Sequence, residues 1–158
     1  MRDLRLRVAT RAIVLDEDDR ILLVRAAGER ELWLTTGGGV EEGETDEAAV
    51  RRELFEEAGL VEFTLGPLVW TRTVVQPLES GRWDGQTERF YLVRTSSFEP
   101  APGLSWEALR REGMNAVRWW TLDELEAAET LFSPRRLPLL LRRLILDGPP
   151  AEPIDVGL

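Results

Sequence analysis

Three carboxylates at helical spacing carry the strongest chemical signal in this chain: Glu53, Glu56 and Glu57. On a helix turning 100° per residue they share one arc with Ala49 and Arg52. Val50, Leu54, Phe55 and Ala58 point elsewhere, free to pack on a sheet. Like charges three and four residues apart repel by roughly 0.2–0.5 kcal/mol per pair, and one arginine does not neutralise three acids. Acidic runs are usually solvated faces, but two features set this one apart. The acids crowd a single face instead of alternating with bases. The segment also follows Gly37-Gly38-Gly39 and Glu44, where backbone carbonyls and a fourth carboxylate can join the same place. A cluster that offers only oxygen suits a hard cation, Mg²⁺ or Mn²⁺.

The composition narrows the chemistry further. The 158 residues contain no Cys and no His, and all 20 basic residues are Arg. Disulfides, thiolate metal sites, cysteine nucleophiles, the Ser-His-Asp triad, Schiff bases and a P-loop lysine are thereby excluded. Carboxylates, guanidiniums, hydroxyls and backbone amides remain. A net charge of −9 argues against stable, non-specific nucleic-acid binding, and an anionic substrate would need a bridging cation. The charged start Met1–Arg7 lacks a signal-peptide core, and no apolar run reaches the ~20 residues of a membrane span. The expected location is cytoplasmic.

The acids need elements to position them. Val8–Leu15 and Ile21–Val24 are β-rich runs around the polar cluster Asp16–Asp19, which reads as a hairpin. The three glycines read as a turn that bends freely or lets something approach closely. Thr45 is the expected N-cap of the acidic helix and Gly59 its C-cap. Strands follow over 65–75, 87–95 and 116–120, with Gln76–Gln86 as a loop. Thr121 opens a short helix with a capping-box pattern. A Leu/Arg-rich helix is predicted over 134–146, and the prolines at 149, 150 and 153 stop it. Strands on both sides of a central helix indicate an α+β fold, an α/β/α sandwich with a mixed sheet. The apolar terminal helix and the proline tail suggest a homodimer.

The stretch from Gly38 to Leu60 resembles the Nudix box, G-x5-E-x7-R-E-U-x-E-E-x-G-U with U aliphatic. Gly38, Glu44, Arg52, Glu53, Leu54, Glu56, Glu57, Gly59 and Leu60 match every specified position. Thr36 departs from the pattern, standing where many members carry proline. The resemblance implies a Nudix domain over residues 1–147, with 148–158 a proline-rich tail, and a hydrolase that cleaves a nucleoside diphosphate linked to another group X. It implies metal binding by Glu53, Glu56, Glu57 and Gly38, with Mg²⁺ or Mn²⁺ as cofactor. Glu53, Arg52 and Glu44 become the catalytic set: Glu53 as ligand or base, Arg52 orienting it, Glu44 supporting the site. Some members take the base from outside the box, so Glu107, Glu112 and, more weakly, Glu88 are further candidates.

A small-molecule nucleotide partner directs attention to aromatic and basic residues. Trp33, Trp70 and Trp83 lie where they can line a cleft, and Trp83 has the strongest claim to stack on a base. Arg72 and Arg89 are candidate phosphate contacts, as is Arg82. Two other readings stand beside the nucleotide hydrolase: an enzyme for isoprenoid or sugar diphosphates, and a silent nucleotide-sensing domain. The intact Arg52-Glu53 and Glu56-Glu57 pairs weigh against the last.

Overall fold

The computed structural model describes residues 3–157. Its strands are β1 (Leu6–Leu15), β2 (Ile21–Ala26), β3 (Leu32–Gly39), β4 (Thr64–Val74), β5 (Gly85–Arg94), β6 (Met114–Trp120), β7 (Leu131–Ser133) and β8 (Ile154–Asp155). The helices are α1 (Asp46–Ala58), α2 (Trp106–Arg111), α3 (Leu122–Ala127) and α4 (Leu137–Asp147). All the strands join one mixed sheet in the order β6-β2-β3-β1-β5-β4-β8, with β7 beside the first half of β3. Side chains alternate across a strand. Ile13 and Leu15 of β1 therefore enter a core with Phe90, Trp70 and the α4 residues Leu137, Leu141 and Leu144, while Ala12 and Val14 meet Val50 and Leu54 of α1. A strand covered on both faces reads as a near-continuous apolar run, and the two covers make the expected α/β/α arrangement.

Several local expectations are corrected. The hairpin of Val8–Leu15 with Ile21–Val24 does not form: β1 and β2 meet only at Leu15 and Ile21. β3 slots between them and pairs antiparallel with each. The acidic cluster still reverses the chain, because the buried Asp16 carboxylate accepts the backbone N–H groups of Asp18 and Arg20, both at 2.9 Å. The glycines are strand rather than turn. Gly37, Gly38 and Gly39 stand opposite Arg11, Thr10 and Ala9 of β1, whereas β2 pairs with β3 only as far as Thr35. The chain thus ends β3 as a ribbon without side chains, paired on one edge. Thr36 donates its hydroxyl to the Ala12 carbonyl at 3.1 Å and adds a tie between β3 and β1.

Phe55 does not pack on the sheet; it is 48% exposed, and the Gly103 N–H donates to its carbonyl. Ala49, on the acidic arc, is fully buried, so that arc borders the sheet. The last helix begins at Leu137 rather than 134. It buries Leu137, Leu141 and Leu144 within its own chain and leaves Leu139 and Leu146 exposed. The proline tail returns to the sheet: β8 pairs in parallel with β4 at Trp70–Ile154 and Thr71–Asp155, and Val156 is buried. Among the described residues no helix is long and apolar enough to cross a membrane.

The two ends of α1 are built as expected. Thr45 accepts the Ala48 N–H, and Gly59 takes φ 73° in the left-handed region. A Cβ at Gly59 would also overlap the Ala101 carbonyl. Gly59→Ala is therefore expected to cost at least ~1–2 kcal/mol, a fall in Tm of about 2–4 °C per kcal/mol. Thermal unfolding checks this, and an unchanged Tm would show that the 100–103 segment yields freely.

Candidate active site

α1 lies against the glycine end of β3, and the missing side chains let its acids rest on the strand. A Cβ at Gly38 would stand 2.6 Å from Glu53 Oε1. One residue earlier, the Gly37 N–H donates to Glu57 Oε1 at 2.8 Å. Arg52 ties the cluster together. Its Nε and Nη2 grip both oxygens of Glu44 at 2.8 and 2.9 Å, its Nη1 donates to Glu53 Oε1 at 2.9 Å, and Nη2 also reaches the Gly39 carbonyl at 3.0 Å. Glu56 lies 3.6 Å from the same guanidinium and is less buried than Glu53 and Glu57.

The charges here are poorly balanced. Burial, reinforced by neighbouring Glu53, pushes the Glu57 carboxyl up to about 8 against the opposing Gly37 N–H and Arg11. Burial also raises Glu53, with Arg52 opposing, and raises Glu56. Glu44 moves the other way, held below the usual range by its hydrogen bonds from Arg52. One guanidinium serving Glu44 cannot also satisfy two buried carboxylates.

Glu53 and Glu57 face a cleft of about 1150 Å³, with Arg7, Arg82, Trp83 and Glu112 on its other walls. Gly38 and Arg52 line it too, and Glu44 stands behind Arg52. The remaining sequence candidates are dispersed. Trp83 lies in the cleft with the Arg82 guanidinium 5.3 Å from its ring centre. Trp33 and Trp70 belong to the core. Arg89 is held at 2.6 Å by Asp46 in the first turn of α1. Arg72 is buried against Glu88 at 2.9 Å, in the wall of a separate cavity of about 750 Å³. Glu88 is thereby engaged by Arg72 and Arg11. Of the two late acids, Glu112 borders the cleft, while exposed Glu107 pairs with Arg111 on α2. Sequence reasoning passed over Arg7, Arg11 and Arg25, all of which line the cleft. Strand alternation could have found two of them, because Arg7 and Arg11 occupy the same face as Ile13 and Leu15 and turn it polar at one end.

A NUDIX domain family model matches residues 5–141. The chain belongs to the NUDIX family. Among its NUDIX relatives, the RNA pyrophosphohydrolase of Psychromonas ingrahamii is 32% identical over 120 residues, 69% of this chain and 64% of that protein. The chain thus spans just under two thirds of that relative's length. The RNA pyrophosphohydrolase of Yersinia pestis is 33% identical over 118 residues, 68% of this chain and 67% of that one. The MutT NUDIX hydrolase from Burkholderia pseudomallei superposes with a TM-score of 0.59 at 27% identity, covering 87% of this chain and 98% of the other. The NUDIX domain of Shewanella oneidensis NrtR, solved with ADP ribose, shares the fold with a TM-score of 0.67 at 18% identity over 92% and 90% of the two chains.

The donor set fits a hard divalent cation. Two buried carboxylates lack sufficient counter-charge, and in a chain without Cys or His the side chains here that could ligate a metal offer oxygen. Among the described residues no three acids surround one point as they stand. Mg²⁺ does not demand that, since it commonly binds one or two carboxylates and completes its shell with water and substrate phosphate.

Proposed function

We propose that this NUDIX domain is a Mg²⁺- or Mn²⁺-dependent pyrophosphohydrolase that cleaves a nucleoside diphosphate linked to another group X. The observation that carries the reading is the pair of buried, under-compensated carboxylates, Glu53 and Glu57, laid on a strand bare of side chains and facing a cleft. Glu57, Glu53 and Glu56 would hold the metal, which when bound neutralises charge on the phosphate oxygens. Arg52 holds Glu53 by Oε1, so Oε2 is the atom to take a proton from the attacking water. The water oxygen bonds to phosphorus, the bridging P–O bond breaks, and the leaving phosphate departs with the electron pair. Positioning and charge neutralisation supply most of the acceleration in such a reaction. Trp83 offers its ring to a base. The RNA pyrophosphohydrolases among the relatives add a pyrophosphate linkage of RNA to the candidates for X.

A panel scored by phosphate release tests the reading, comprising nucleoside triphosphates, nucleoside diphosphate sugars, RNA with a 5′ pyrophosphate linkage, and base-free diphosphates. Turnover is expected on a nucleotide substrate and not on base-free ones. EDTA should abolish it, and Mg²⁺ or Mn²⁺ should restore it. Activity that survives exhaustive chelation would sink the metal role.

A further inference from the structure

The half-buried guanidinium of Arg7 lines the cleft and has no hydrogen-bond or ion-pair partner among the described residues. Of the other cleft arginines, Arg52 is engaged by Glu44 and Glu53 and Arg11 by Glu88 and the Gly37 carbonyl, while Arg25 and Arg82 are exposed. With 29 acids in the chain against 20 bases, a half-buried guanidinium left without a carboxylate is a cation held open. Its seat is specific. A Cβ at Gly39 would overlap Nη2, Nε and Cζ of Arg7, so the guanidinium lies directly on the strand. Adjacent residues of a strand face opposite ways. Gly38 accordingly seats the Glu53 carboxylate on the α1 face, and Gly39 seats the Arg7 guanidinium on the other. One backbone thickness separates an acid cluster suited to a cation from a free fork suited to an anion. Both border the same cleft, around the edge of β3 that β2 leaves unpaired.

We propose that Arg7, seated on Gly39, grips the substrate phosphate that is not attacked. This rests on the hydrolase reading of the cleft. Contact with a group that does not react strengthens binding in ground and transition states alike, so its loss should appear in KM more than in kcat.

Calorimetric titration of inorganic pyrophosphate in Mg²⁺ tests the site without turnover. Arg7→Ala should weaken binding at least tenfold, and Arg7→Lys should recover part of the loss by returning charge without the planar fork. Gly39→Ala should weaken binding comparably by lifting the guanidinium off its seat. The double variant should then bind no worse than Arg7→Ala alone, within twofold. Arg142→Ala, which removes a surface cation paired with Glu126, should match the wild type. On the best substrate, KM should rise at least tenfold in Arg7→Ala with a much smaller change in kcat. Arg7→Ala affinity within twofold of wild type, or no pyrophosphate binding by the wild type at millimolar concentration, would overturn the proposal. Additive losses in the double variant would overturn the seating on Gly39. Pyrophosphate binding that depends on Arg7 in a protein that hydrolyses nothing on the panel would instead overturn the hydrolase reading and leave the anion site standing.

Discussion

Glu57→Gln is expected to lower kcat by about 100-fold or more, roughly 2.7 kcal/mol of barrier, while raising the melting temperature of the metal-free protein. The two effects have one cause. Glu57 is buried beside Glu53, and its ionised form is disfavoured there, with a pKa pushed up to about 8. A carboxyl that is harder to ionise in the folded chain than in the unfolded one takes stability away as pH rises. The loss begins near the ordinary value of 4.5 and is complete around 8. Gln keeps the shape and an oxygen for the Gly37 N–H, but has no proton to lose. In EDTA at pH 8 the variant should gain at least about 1 kcal/mol, or 2–4 °C in Tm, and the difference should shrink as the pH falls toward 4.5.

Saturating Mg²⁺ should reverse the order, because the wild type gains the metal's binding free energy and the variant gains less. Glu56→Gln should share the loss of kcat with a smaller gain in the metal-free protein, since Glu56 is less buried than Glu57. Melting curves with and without Mg²⁺, run beside kcat on the best substrate, decide the matter. A Glu57→Gln protein that melts lower in EDTA and turns over normally would make this acid a structural one.

The acidic helix and its caps were legible because they are local. Thr45, Gly59 and the spacing of Glu53, Glu56 and Glu57 depend on residues within a few positions of one another. The placement of β3 was not legible. Nothing within 8–24 shows that a later strand will part β1 from β2, since antiparallel pairing is settled by segments far apart in sequence. The same limit hid the partners of the arginines. Arg72 and Arg89 were reasonable phosphate contacts on type alone, but β5 brings Glu88 to the first and α1 brings Asp46 to the second. Arg7, which looked like one charge in a charged terminus, has no ion-pair partner among the described residues. Glycine carries no side chain to mark its role, so the triplet announced close approach without saying that Glu53 would occupy one face and Arg7 the other.

The pairing that removes Arg72 from the cleft should also dominate stability. Glu88 accepts Arg72 Nη2 on both oxygens at 2.9 Å, Arg11 Nε at 3.2 Å and the Gln86 amide at 3.2 Å. Its side chain is 4% exposed and that of Arg72 9%. Burial alone would raise this carboxyl, but Arg11 and Arg72 together outweigh it and hold it below the ordinary range. Its contribution is therefore present above pH 4.5 and fades as the pH drops through the lowered value. Glu88→Ala leaves two guanidiniums facing each other without an acid and should cost about 3–5 kcal/mol. Arg72→Met with Glu88→Met should recover much of that, because a buried ion pair replaced by apolar groups of similar volume is often close to neutral. The network also touches the site: Arg11 donates to the Gly37 carbonyl at 3.0 Å, and Gly37 in turn donates to Glu57. Well below its melting temperature, Glu88→Ala should thus lose some kcat, but far less than Glu57→Gln. Urea unfolding of the single and double variants measures the first effect and steady-state kinetics the second. A Glu88→Ala protein as stable as the wild type would mean that solvent reaches Arg72 and that the ion pair is not buried in solution.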